Sequence, residues 1–251
     1  MTRPTVAVWK FASCDGCQLT ILDCEDELLA IAAALDFRMF LEAGPEEMLD
    51  HFDISLVEGS ITTNHDAERI REVRERSGIV VTIGACATAG GIQALRNYAD
   101  VEEYTRHIYA RPDWIDTLAT STPIAHHIKV DHELHGCPIN KEQLIATITA
   151  LLAGRRTPVT SHSVCVECKQ RGTPCLLVSE GTACLGPVTH AGCGALCPSI
   201  NRGCFGCFGP SESANLPGLL EVLRVAGNDE HEVLASLRTF NVTKFDTGAT
   251  P

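Results

Sequence analysis

Eight cysteines crowd into 43 residues near the end of the chain, spaced Cys165-x2-Cys168-x6-Cys175-x8-Cys184-x8-Cys193-x3-Cys197-x6-Cys204-x2-Cys207. Gly and Pro punctuate this stretch so often that no long helix or strand is expected between about residues 159 and 226, and a large core of its own is not expected there. Such a segment gains its order from ligation and from docking, as small metallodomains do, because their folding free energy is largely binding free energy. With Cys14, Cys17, Cys86 and Cys137 these make twelve of the thirteen cysteines, three sets of four. Four thiolates are the ligand set of a 4Fe-4S cluster or of a structural zinc. Three zincs would brace a fold, whereas three iron-sulfur clusters would conduct electrons.

Thirteen cysteines in 251 residues stay below the roughly 8–10% of a small secreted disulfide scaffold. The first ~30 residues lack a charged-then-apolar secretory stretch, and Met1-Thr2-Arg3-Pro4 carries no twin-arginine signal. The expectation is a reducing cytoplasm. No apolar run reaches the ~20 residues that span a bilayer, and a net charge of −12 speaks against a nucleic-acid surface.

Residues 5 to 153 read differently, alternating short β-branched runs with amphipathic stretches. This is the pattern of a parallel sheet with helices on both faces. Strands are expected at Thr5–Phe11, Phe37–Glu42, Asp53–Ile61, Gly78–Ala85 and Ile124–His132, and helices at Gln18–Leu35, Asn64–Ser77, Val101–Tyr109 and Lys141–Ala153. On the first helix, Leu19, Leu22, Leu29 and Ala33 recur at helical steps and predict a core stripe. The expected organisation is an α/β, doubly wound domain over residues 1–158, then a small, irregular cysteine-rich domain over 159–251 with a short C-terminal tail.

On that scheme Cys14 and Cys17 follow the first strand, Cys86 ends the fourth and Cys137 follows the fifth. The C-terminal ends of parallel strands share one edge, where doubly wound folds place their functional sites. Four thiols distant in sequence therefore converge, a stronger signal than the C-x2-C pair alone, which also fits a redox pair, half a zinc site or two buried thiols. The glycines around them suit close approach of backbone to a bulky group.

The segments Val8-Trp9-Lys10 leading to Ser13-Cys14-Asp15-Gly16-Cys17, then Val57-Glu58-Gly59-Ser60-Ile61, Gly84-Ala85-Cys86-Ala87-Thr88-Ala89-Gly90-Gly91 and Gly136-Cys137-Pro138 resemble, in order, the signatures of the small subunit of nickel-iron hydrogenases. The resemblance covers most of the chain. It implies a flavodoxin-like first domain in which Cys14, Cys17, Cys86 and Cys137 hold a proximal 4Fe-4S cluster beside the nickel-iron centre of a large subunit. Relatives exported from the cell typically hold a distal cluster with one His and three Cys, and a medial 3Fe-4S cluster with three Cys. Here Cys165 stands at the His position, and Cys193, Cys197, Cys204 and Cys207 give the medial site four thiols. The partition implied is Cys165, Cys168, Cys175 and Cys184 for a distal 4Fe-4S cluster and the later four for a medial one, although two clusters can also interleave their ligands. A further departure is Ser13 before Cys14, where the familiar pattern starts Glu-x-x-Cys.

Three all-cysteine clusters suit a low-potential acceptor. Among cytoplasmic classes the chain looks most like the delta subunit of bidirectional NADP-linked hydrogenases. That implies FAD and NADP in other subunits, a flavin/iron-sulfur diaphorase partner beside the large subunit, and a hetero-oligomer. Alternatives are service to a deazaflavin- or heterodisulfide-linked partner, a subunit of a complex I-like quinone enzyme, and a structural zinc protein. No nucleotide fingerprint and no nucleophile-base pair occurs, so no bond-making site is expected in this chain.

Glu58 at the end of the third strand reads as a carboxylate ordering the Gly59 loop, with a proton relay as the sharper reading. Cys24, left over on the first helix, reads as a buried apolar thiol. His126, His127, His132 and His135 lack ligand geometry and read as structural.

Overall fold

The structure, a computed structural model, describes residues 3–44, 46–157 and 160–245. Five strands, β1 (Thr5–Lys10), β2 (Asp36–Phe40), β3 (Phe52–Glu58), β4 (Ser77–Ile83) and β5 (His132–Leu134), form one sheet in the order β2-β1-β3-β4-β5. Every pairing is parallel. This is the flavodoxin-like order, whose functional crevice opens between β1 and β3. Because successive side chains point to opposite faces, Val6 and Val8 enter one core with Ile54, Leu56, Val81 and Ile83. Ala7 and Trp9 enter the other with Val57 and Val80. Both faces are therefore apolar and both need cover.

Helices α1 (Gly16–Leu22), α2 (Asp26–Ala34) and α6 (Lys141–Leu152) cover the first face through Ile21, Ile31, Leu144 and Ile148. Helix α3 (Asn64–Glu75) covers the second with Ile70 and Val73. Side chains fix the helix starts: Thr63 caps α3 by accepting from Asp66 N, Asn140 caps α6 by accepting from Gln143 N, and Asp100 caps α5 (Val101–Ile108) by accepting from Glu103 N. Helix α4 (Gly84–Ala89) starts directly off β4.

The helix expected at Gln18–Leu35 is two helices. Glu25, at φ 43°, breaks the chain between them, so the stripe expected from Leu19, Leu22, Leu29 and Ala33 does not form. Leu19 is 49% and Leu29 78% exposed, while Ile21, Cys24, Ile31 and Leu35 point inward. The fifth strand lies later than expected. Ile124–His126 is a 3-10 turn that buries Ile124 against the second core, and β5 runs only from His132 to Leu134.

Past residue 160 the helices are α7 (Val164–Gln170), α8 (Leu176–Glu180), α9 (Leu196–Ser199), α10 (Leu216–Val225) and α11 (Glu230–Leu237). This part builds more core than its composition suggests, because α10 and α11 bring Leu219, Leu223, Val233 and Leu237 onto Leu185, Val188 and Phe245. The two halves touch where the Thr243 hydroxyl donates to Ala89 O at 3.0 Å, the His135 and His190 rings lie 5.4 Å apart, and Lys244 Nζ stands 3.9 Å from Glu133. Among the described residues no helix is long and apolar enough to cross a membrane.

Phe52, fully buried and edge-on to Trp9 at 5.8 Å, anchors the second core. Phe52→Ala is expected to cost about 3–5 kcal/mol, read as a lower denaturant midpoint with an unchanged slope.

Candidate metal centres

The first four thiols meet at the C-terminal edge of the sheet. Cys14 and Cys17 sit on the turn from β1 into α1, which Asp15 opens in a left-handed conformation at φ 65°. Cys86 lies in α4, and Cys137 follows β5, where Gly136 O accepts from Ala85 N at 2.7 Å. Two glycines make the room. A Cβ on Gly91 would lie 2.6 Å from Cys86 Sγ, and one on Gly84 would overlap Cys17 Sγ. Both have positive φ, +64° and +86°, which glycine adopts without strain.

Burial, with Glu58 next, pushes the Cys17 thiol far up, and the nearby Cys86 and Cys137 add to it. Burial likewise raises Cys86 to about 11, with Cys137 and Cys14 adding. Cys137, also raised by burial, lies close enough to both Cys17 and Cys86 to add to their rise. A thiol held neutral this strongly ionises when a positive centre binds it, which is the ordinary behaviour of cysteine ligands.

Polar side chains hold the edge in place. Glu58, 1% exposed, accepts from Cys17 N at 3.1 Å through Oε1 and from Gln18 Nε2 at 2.8 Å through Oε2. It therefore takes the N-cap role that Asp15 leaves unfilled on α1. Burial raises its carboxyl, and the bonds from Gln18 and Cys17 oppose that rise. Gln93 donates to Ala12 O and lies 3.5 Å from Cys86 Sγ. Nothing in the amino-acid pattern marks Gln93, a lone amide after a Gly-Gly pair.

The second and third sets surround two cavities. Cys165 and Cys168 stand on α7, Cys175 precedes α8, and with Cys184 they line a cavity of about 90 Å³. Cys193, Cys197, Cys204 and Cys207 line another of about 230 Å³, and Cys137 of the first set lines it too. Burial drives Cys168 to about 11, with Cys165 and Cys184 adding, and Cys207 to about 12, where Cys193 adds to it. Cys204 N donates to Cys184 Sγ at 3.2 Å. The three sets therefore stand in series, touching through Cys137 on one side and through Cys184 and Cys204 on the other.

Among the described residues no group of three or more His, Cys, Asp or Glu side chains is arranged to hold a single metal ion. The histidines disperse. His127 pairs with Thr122, His132 with Thr157, His135 packs tilted against His190, and His126 is exposed. Burial pushes His135 down to about 4. Cys24 is fully buried.

A family model described as the 20 kDa subunit of NADH ubiquinone oxidoreductase matches residues 14–151, the stretch from Cys14 to the end of α6. Similar curated proteins are hydrogenase subunits. The delta subunit of sulfhydrogenase 2 from Pyrococcus furiosus is 34% identical over 94% of this chain and 98% of its own length. A vhu subunit of the F420-non-reducing hydrogenase from Methanocaldococcus jannaschii is 34% identical over 83% of each chain. Among solved structures, the NAD+-reducing NiFe-hydrogenase in its H2-reduced state superposes with a TM-score of 0.58 at 28% identity, over 62% of this chain and 95% of that one. The NiFeSe hydrogenase of Desulfomicrobium baculatum shares the fold at a TM-score of 0.59 and 16% identity, over 87% and 98%. The chain belongs to the 20 kDa subunit family and, within it, to the small, electron-transferring subunits of hydrogenases.

Proposed function

We propose that this chain carries electrons through three 4Fe-4S clusters between a large-subunit nickel-iron centre and a cytoplasmic flavin module that reduces NADP. The observation that carries this reading is the serial order of three four-thiol sets, with Cys137 lining the cavity of the next set. Cys14, Cys17, Cys86 and Cys137 would hold the proximal cluster, Cys193, Cys197, Cys204 and Cys207 the medial one, and Cys165, Cys168, Cys175 and Cys184 the distal one. The donor chemistry fits: each set is all-thiol, and burial raises one thiol in each, Cys17, Cys168 and Cys207, so that it stays neutral until a positive centre binds. When bound, such clusters supply one-electron carriers whose potentials follow ligand set, hydrogen bonding and burial. The division at about residue 158 belongs to the same reading, with the first domain holding the proximal set and the second the other two.

The chain's own side chains do the positioning. Glu58 and Gln18 fix the Cys14–Cys17 turn, Gln93 lies against Cys86, and the glycines keep methyl groups off the sulfurs. Glu58, buried with a raised carboxyl, is in addition assigned a proton relay. Glu58→Gln is expected to slow proton/deuterium exchange at least about tenfold, a barrier increase near 1.4 kcal/mol, while the complex keeps its iron. Unchanged exchange would reduce Glu58 to its capping role.

Anaerobic purification of the complex tests the whole. About twelve irons per chain, four for each cluster, with copurifying large and flavin-bearing chains and hydrogen-dependent reduction of NADP, is the expected result. A colourless chain with about three zincs would replace this reading with a structural one. Reduction of a deazaflavin or a heterodisulfide partner instead would favour the alternative in which the chain serves such a partner.

A further inference from the structure

One side chain joins two of the cysteine sets without being a ligand. Glu167 lies on α7 between Cys165 and Cys168, yet its carboxylate reaches the loop that carries Cys193. Oε1 accepts from Gly192 N at 2.9 Å, Oε2 accepts from Ala195 N at 3.2 Å, and Oε2 stands 3.9 Å from Cys193 Sγ. Gly192 at φ 138°, Gly194 at 63° and Ala195 at 55° coil the loop so that its amides face the carboxylate.

We infer that Glu167 is a positioning residue that holds the medial potential low by placing a carboxylate beside Cys193 and occupying the Gly192 and Ala195 amides. This rests on the cluster reading proposed above. Two effects act in the same direction. A negative charge 3.9 Å from a ligand sulfur disfavours adding an electron to the group that sulfur binds. Amides that donate to a cluster's sulfurs stabilise the added electron and raise its potential; here the carboxylate takes the Gly192 amide and shares the Ala195 amide with Cys193, weakening that donation. Since Glu167 comes from the helix bearing Cys165 and Cys168, it also ties the geometry of the distal set to that of the medial one. The class of partner follows: a carrier kept at low potential suits exchange with a low-potential two-electron acceptor of the nicotinamide or deazaflavin kind.

The test is an EPR-monitored redox titration of the anaerobically purified complex carrying E167Q. E180Q, at an exposed residue ending α8, serves as control. The expected result is full iron content and an upward shift of the medial couple. At fixed potential its reduced-to-oxidised ratio should rise about tenfold, equivalent to about 59 mV for a one-electron couple, with the proximal couple and the control unmoved. An unmoved medial couple in an iron-replete E167Q complex overturns the inference. Should E167Q lose iron, E167D decides, because it keeps the charge but withdraws it from Cys193 by one methylene: a smaller upward shift supports the inference and an unchanged potential overturns it. A wild-type complex lacking a third couple would instead overturn the cluster reading, and this inference with it.

Discussion

Gly84→Ala should empty the proximal site while leaving the sheet folded. Gly84 opens α4 at φ +86°, and a methyl there would overlap Cys17 Sγ. Left-handed backbone costs a non-glycine residue about 1–2 kcal/mol, which the apolar contacts around β4 can absorb. The overlap with sulfur cannot be absorbed without moving a ligand. Iron is therefore expected to fall from about twelve to about eight per chain, at four per cluster, and hydrogen-dependent reduction of any acceptor to vanish. Circular dichroism should stay near wild type. Full iron content in this variant would mean that Cys17 does not bind where its sulfur lies.

Cys197→Ala should change cluster type instead of removing it. Cys197 lies on α9, among the four thiols lining the medial cavity, and the remaining Cys193, Cys204 and Cys207 give the three-cysteine set that resembles a 3Fe-4S site. Iron is expected to fall to about eleven, one fewer than three four-iron clusters hold. Cluster potentials span about −700 to +450 mV and depend on cluster type, so the medial couple should rise by far more than one neighbouring charge would move it. Reduction of a nicotinamide should drop at least about tenfold, a penalty of roughly 1.4 kcal/mol, while a high-potential dye is still reduced. Equal losses with both acceptors would show that the step depends on something other than medial potential.

What can be read from the residues alone follows from which interactions are local. The order β-α-β and the two-sided apolar strands are written into short windows, so the parallel sheet and the meeting of Cys14, Cys17, Cys86 and Cys137 on one edge are legible there. The break at Glu25 is not. Leu19, Leu22, Leu29 and Ala33 satisfy a single helical period, and only packing shows that α1 and α2 each turn different residues, Ile21 and Ile31, to the core. Ile124 misleads for a related reason: it is buried, but in a 3-10 turn that feeds a three-residue edge strand. The apolar support of the cysteine-rich part is hidden because it is supplied from outside that segment's middle, by α10 and α11. Glu167 has no sequence signature, since its partners Gly192 and Ala195 lie 25 and 28 residues away.

The shared wall at Cys137 bears on how such a chain matures. Cys137 belongs to the first edge and lines the next cavity, and a Cβ on the neighbouring Gly136 would press on the Phe208 ring at 2.8 Å. The cavity around Cys193 and Cys207 therefore has no complete outline until the β5 loop is in place. A chain synthesised from its N-terminus offers that loop first. The late cysteines therefore close their cavity against a wall that the earlier part of the chain supplies.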